Sequence, residues 1–70
     1  MTWKTLRSDD YHSLEQNRVG TDLYEYYIFF YDGLAAETPY KELYLGEDAE
    51  DADQEYHRLV RENRLNLRLE

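Results

Sequence analysis

The densest group of chemically active side chains in this sequence is a run of carboxylates in residues 47–55. Its members are Glu47, Asp48, Glu50, Asp51, Asp53 and Glu55. If the run is helical, the spacing of three and four residues places Asp48, Asp51 and Glu55 along one flank. Such a row can be no more than a solvated helix surface with acids near the positive end of the dipole. It can also stand in for phosphates and bind a basic site on another protein.

Metal binding and catalysis are not expected of these acids. An EF-hand loop needs a glycine after its alternating acids, and this run has none. Asp53 and His57, four residues apart, offer two ligands without a second pair to complete a site. The chain has no Cys, its two histidines (His12 and His57) are far apart, and no nucleophile or phosphate-loop motif occurs. The sequence therefore predicts a protein that is not an enzyme and holds no metal or cofactor.

Eight tyrosines form the second group that could act in binding. Tyr26 and Tyr27 lie in an apolar run and are expected in the core with Ile28, Phe29 and Phe30. Tyr24, Tyr31, Tyr40 and Tyr44 can instead be interface residues, because tyrosine buries area at low entropic cost. Exposed tyrosines beside acids suit Arg and Lys on a partner. The predicted partner-binding residues are Glu47, Asp48, Glu50, Asp51, Glu55, Tyr40 and Tyr44.

Composition limits the kind of protein this can be. Its 70 residues allow one domain, residues 1–70, and 16 acidic against 8 basic residues give a net charge of -8. Such a charge disfavours direct binding of nucleic acid. No run is long enough to span a membrane, and residues 1–10 lack a signal-peptide core, so a cytoplasmic location is expected. A mean hydropathy of -0.97 is typical of disorder. However, 11 aromatic residues favour a folded domain with a thin core.

The first half of the chain offers one ambiguous element and one clear strand. Ser8 followed by two aspartates is typical of a helix N-cap, which predicts a short helix over residues 8–17 that Gly20 ends. A strand there is the main alternative, and residues 2–7 form a short strand or a lead-in. Residues 22–31 are rich in aromatics on both faces, which predicts a central strand.

The second half predicts a strand, a helix and a further strand. Residues 40–45 alternate as a strand after the break at Pro39. Residues 47–63 have apolar positions at helical spacing, and residues 65–69 (LNLRL) alternate as a half-buried strand. A right-handed crossover would make the last two strands parallel, giving strand order 2-1-3. The expected fold is α+β: a small, mainly antiparallel sheet of three or four strands. One long acidic helix packs on one face, and residues 1–18 or a partner cover the other.

A tiny, Cys-free, strongly acidic α+β domain without a catalytic set resembles the small inhibitors encoded by phages and mobile elements. These include anti-CRISPR proteins, anti-restriction DNA mimics and phage inhibitors of host RNA polymerase. The resemblance is one of class, carried by size, charge and residues 40–69, and it transfers no residue roles. It implies a phage protein acting in the cytoplasm of the host cell.

Two functions follow from these expectations. The first is a non-enzymatic inhibitor that binds a host nucleic-acid-binding complex, such as a CRISPR effector. Its acidic helix and tyrosine-rich surface would then block the nucleic-acid site. The alternative is a structural or regulatory subunit or adaptor, as a monomer or homodimer, whose acidic helix only provides solubility.

Overall fold

The fold is an antiparallel sheet backed by one helix. The computed structural model describes residues 2–33 and 36–69, with side chains as far as Leu65. Within these residues the elements are β1 (Thr2–Ser8), β2 (His12–Gly20), β3 (Leu23–Phe30), β4 (Lys41–Gly46) and α1 (Ala49–Leu69). Each strand pairs antiparallel with the next, in the order β1-β2-β3-β4. The α+β class is confirmed, whereas the three-stranded sheet and the order 2-1-3 are wrong.

The helix predicted over residues 8–17 is instead the turn of a hairpin and most of β2. Ser8, the predicted N-cap, is the last residue of β1, and it is the side chain of Asp9 that holds the turn. Its Oδ1 accepts hydrogen bonds from the backbone N–H groups of Tyr11 and His12, at 2.9 and 2.8 Å. An aspartate makes the same bonds at a helix N-cap and in a tight turn, so its presence cannot distinguish the two. The strand alternative for this segment is the correct one.

The strand predicted over residues 65–69 is also wrong, since α1 continues to Leu69. Its alternating leucines resemble a strand, but no glycine or proline interrupts residues 47–69. Leucine and arginine are strong helix formers, so the helix propagates through the pair Asn63-Arg64. No crossover therefore exists between two parallel strands of the described chain. The central strand predicted over residues 22–31 is β3, which lies between β2 and β4.

The core lies between one face of the sheet and α1. Leu14, Ile28 and Phe30 from the sheet pack with Tyr56 and Val60 from the helix, and none is more than 7% exposed. Leu45 and Leu59 pack against this cluster. Burial of each large apolar side chain stabilises the fold by about 1.5–3 kcal/mol before ordering costs. This packing fixes α1 against one face of the sheet, and no helix of the described residues covers the opposite face.

A buried polar link joins β2 to the far half of α1. The His12 ring is 1% exposed, and its Nδ1 lies 2.8 Å from Asp9 Oδ1. Its Nε2 lies 2.7 Å from the side-chain nitrogen of Asn63. Since Asn63 donates there, Nε2 is the acceptor and Nδ1–H donates to Asp9. Arg64 donates to the other oxygen of Asp9 at 2.7 Å, so two neighbouring residues of α1 hydrogen-bond to this part of the sheet.

Among the described residues, no helix is both long and apolar enough to cross a membrane.

Candidate functional site

The register of the sheet separates the charges of the strands onto its two faces. Cross-strand partners share a face. Pairing with Gln16, Leu14, Tyr24 and Phe30 places four cations on the helix side; these are, in the same order, Lys4, Arg7, Arg18 and Lys41. The three strand carboxylates, Glu15, Glu25 and Glu42, lie on the other side. We call this side the open face; its side chains are Trp3, Thr5, Ser13, Glu15, Asn17, Glu25, Tyr27, Phe29, Glu42 and Tyr44.

Four aromatic rings form a continuous cluster on the open face. The Trp3 ring lies 5.4 Å from Tyr27 and 5.8 Å from Phe29, centroid to centroid. Tyr27 lies 5.3 Å from Tyr44 on the next strand. Because β2 separates β1 from β3, the indole of Trp3 must reach across β2 to make these contacts. Trp3 remains 48% and Tyr44 52% exposed, so the cluster presents ring surface to solvent.

Carboxylates surround the two tyrosines of this cluster. Burial and the nearby carboxylate of Glu25, whose Oε1 accepts a hydrogen bond from the Tyr27 hydroxyl at 3.2 Å, raise the pKa of Tyr27. Desolvation and the charges of Glu47 and Glu25 raise the pKa of Tyr44. Both phenols therefore stay neutral at physiological pH and can accept or donate hydrogen bonds. The open face thus combines negative charge with neutral aromatic surface.

The predicted helix acids have different roles in the structure. Asp48 caps α1, since its Oδ1 accepts from the backbone N–H groups of Glu50 and Asp51 at 2.9 and 3.0 Å. Glu55 pairs with Arg58 at 2.6 Å. That hydrogen bond and the positive charge of Arg58 lower the pKa of Glu55 despite some desolvation. Glu50 and Asp51 are exposed and form the first turn of the helix.

The structure does not gather all seven predicted residues into one site. Tyr44 lies on the open face with Glu47 acting on it electrostatically, so these two belong together. Tyr40 is 56% exposed, but its ring lies 6.3 Å from Phe30, which belongs to the helix side. The predicted site therefore divides between the open face, the first two turns of α1 and an isolated tyrosine.

Several open-face residues escaped the sequence analysis, above all Trp3, Glu15, Glu25 and Glu42. The available signal was the period of two in residues 12–17, where His12, Leu14 and Gln16 alternate with Ser13, Glu15 and Asn17. Interpreting the segment as a helix hid that alternation. Which face carried the acids also depended on cross-strand register, which a single sequence does not give.

The residues weighed for metal binding lie on the helix side. His57 Nε2 is 3.6 Å from Asp53 Oδ1, and Asp53 also forms an ion pair with Arg7. No three His, Asp or Glu side chains of the described residues are placed to hold a metal ion. Asp53 therefore serves to join α1 to β1.

Comparison with protein-family models, with curated proteins and with solved structures gave no match to this chain, so its function must be argued from this geometry.

Proposed function

We propose that this protein is a non-enzymatic inhibitor that binds a basic nucleic-acid-binding protein or complex and covers its nucleic-acid site. A CRISPR effector is one complex of this kind. The observation that carries the proposal is the segregation of charge in the sheet. The open face has three carboxylates and four aromatic rings, while all four cations of the described strands lie on the helix side. Glu47, whose charge acts on Tyr44, adds to this negative surface.

The open face offers the two chemical groups that a nucleic-acid site recognises. Sites for single strands combine Lys and Arg, which bind phosphates, with aromatic side chains on which bases stack. Carboxylates can occupy the phosphate positions, and the rings of Trp3 and Tyr44 can stack where bases would. Negative charge also steers such a protein toward a basic cleft and makes the binding sensitive to salt.

The subunit alternative is supported by the exposed rings of Trp3 and Tyr44, because apolar surface on a sheet is often covered by a partner. Two copies of this chain would each bring a net charge of -8 and the same acidic open face. Like charges placed across an interface are unfavourable. A self-association through the open face is therefore disfavoured, and a basic partner fits it better.

The proposal can be tested by capturing partners on the immobilised protein from a lysate of its source cells or their host. The bound fraction is then challenged with a single-stranded oligonucleotide, and the released proteins are identified by mass spectrometry. We expect a nucleic-acid-binding complex to be retained and then displaced, since oligonucleotide and inhibitor compete for one basic site.

The matched control is a pair of double variants with the same charge change. Glu25→Lys with Glu42→Lys reverses the open face, while Glu37→Lys with Glu62→Lys reverses exposed acids elsewhere. Capture should fail only with the first. Retention that resists the oligonucleotide and survives open-face reversal would contradict the proposal, and a dimer mass in light scattering would then favour the subunit function.

A further inference from the structure

Glu15 is a buried carboxylate without a countercharge. The residue is 8% exposed, in the middle of β2 on the open face. The Thr5 hydroxyl oxygen lies 2.8 and 2.9 Å from the two carboxylate oxygens and donates its one hydrogen to this carboxylate. No Lys, Arg or His of the described residues forms an ion pair with it. One neutral hydrogen-bond donor replaces little of the hydration free energy that a carboxylate loses when it is buried.

Ser13 supplies a second unsatisfied group beside Glu15. The two residues are two positions apart on β2, so their side chains lie on the same face. Ser13 is 5% exposed, and its hydroxyl has no hydrogen-bond partner among the described residues. Buried hydroxyls are normally paired, and an exception needs an explanation. A ligand that donates hydrogen bonds would satisfy both the hydroxyl oxygen and the carboxylate.

A shallow cavity gives a ligand access to both groups. It has a volume of about 290 Å³ and is lined by Ser13 and Glu15 together with Thr5, Asp10 and Tyr31. Small-molecule sites usually measure about 300–1,000 Å³, so this cavity suits one side chain better than a whole ligand. Two further carboxylates, those of Asp9 and Asp10, also line the cavity. Asp9 is already paired with Arg64, whereas Asp10 adds negative charge that further favours a cation.

We propose that this cavity binds an arginine side chain of the basic protein partner, with its guanidinium paired to Glu15 and donating to the Ser13 hydroxyl. Arginine fits better than lysine for two reasons. Its planar fork of N–H donors matches a carboxylate and a neighbouring hydroxyl together, and it stacks on aromatic rings. Tyr31, which lines the cavity, provides such a ring. The inference rests on the proposed function and names the group that this surface recognises.

The test compares Glu15→Gln with Glu42→Gln, which removes the same charge from an exposed position on the same face. Trp3 is the single tryptophan of the chain and lies on this face, so its fluorescence reports binding of an oligoarginine peptide. Glu15→Gln should weaken binding of the peptide at least tenfold. Glu42→Gln should weaken it by about threefold or less, as expected for the loss of an exposed ion pair. Glu15→Gln should also raise the melting temperature by about 4 °C or more, because it removes an uncompensated buried charge. Equal binding losses in the two variants would overturn the proposal.

A measurement on the unmodified protein covers the case in which Glu15→Gln fails to fold. In an amide NMR titration, oligoarginine should shift the signals of Thr5, Ser13 and Glu15 most, and oligolysine should shift them less. Shifts confined to Glu25, Glu42 and Tyr44 would refute the arginine cavity while leaving the proposed function intact. Shifts confined to the first turn of α1, or none, would refute both.

Discussion

Substitution of Asn63 by alanine should weaken the attachment of α1 to the sheet. The side-chain nitrogen of Asn63 donates to Nε2 of His12, and the His12 ring is 1% exposed. Removing the donor leaves a buried acceptor unsatisfied, which costs about 1–3 kcal/mol. Alanine is the better helix former by about 0.5 kcal/mol. The net loss in the free energy of unfolding is therefore about 0.5–2.5 kcal/mol.

At about 6 °C per kcal/mol for a domain of this size, the melting temperature should fall by roughly 3 to 15 °C. Circular dichroism during heating measures the change. Arg61→Ala is the matched control, because Arg61 is an exposed residue on the same helix and its loss should change stability by about 0.5 kcal/mol or less. If Asn63→Ala had the same melting temperature as the Arg61→Ala control, the hydrogen bond between His12 and Asn63 would not be stabilising the attachment of the helix.

Three further changes test other parts of the fold. Burial raises the pKa of Asp9, but hydrogen bonds from the Tyr11 N–H and from neighbouring side chains outweigh it, so the net pKa lies below 3.8. Stability should therefore fall as the pH drops below about 3.8, and Asp9→Asn should flatten this dependence in urea titrations. Burial, with a contribution from the charge of Asp9, raises the pKa of Tyr56 from 10.0 to about 12. The stability that the neutral Tyr56 phenol contributes is complete below pH 10.0 and should be lost as the pH rises toward about 12. The Tyr56→Phe variant, which has no phenol to ionise, should not lose stability in this way. Gly46 has a φ of 96°, and a Cβ atom added there would meet nothing within 4 Å, so Gly46→Ala should cost about 1–2 kcal/mol from the backbone alone. Gly20→Ala, which meets only ordinary contact with Leu23, should cost less in the same thermal assay.

Local signals predicted β3, β4 and the first half of α1 because each has one dominant pattern. Residues 22–31 are aromatic on both faces, and β3 is paired on both sides. Asp48 was placed near the start of the acidic helix, and it caps α1. In these segments propensity, periodicity and end signals agree, which is the condition under which a sequence is informative.

The predictions for residues 8–17 (a helix) and 65–69 (a strand) were wrong because the local sequence signals in these segments fit both a helix and a strand or turn. Asp9 makes bonds that are common to turns and helix caps. The leucines of residues 65–69 alternate as in a strand, but α1 continues through them. The open face could not be assigned without the pairing of β1 with β2, and the helix predicted over residues 8–17 is incompatible with that pairing. The partner-binding role predicted for the acids near the start of α1 stays a prediction, and capping by Asp48 and pairing of Glu55 depend on the structure.

The most direct test of the central claim compares two charge-matched double variants in calorimetric titrations with oligoarginine. Glu25→Gln with Glu42→Gln removes two charges from the open face, and Glu50→Gln with Asp51→Asn removes two from the first turn of α1. If the open face is the binding surface, the first pair should weaken binding about tenfold, as expected for two ion pairs of up to about 1 kcal/mol each. The second pair should have a smaller effect, and added salt should reduce binding by the unmodified protein. Equal losses, or a larger loss from the helix pair, would contradict the claim that the open face binds the basic partner.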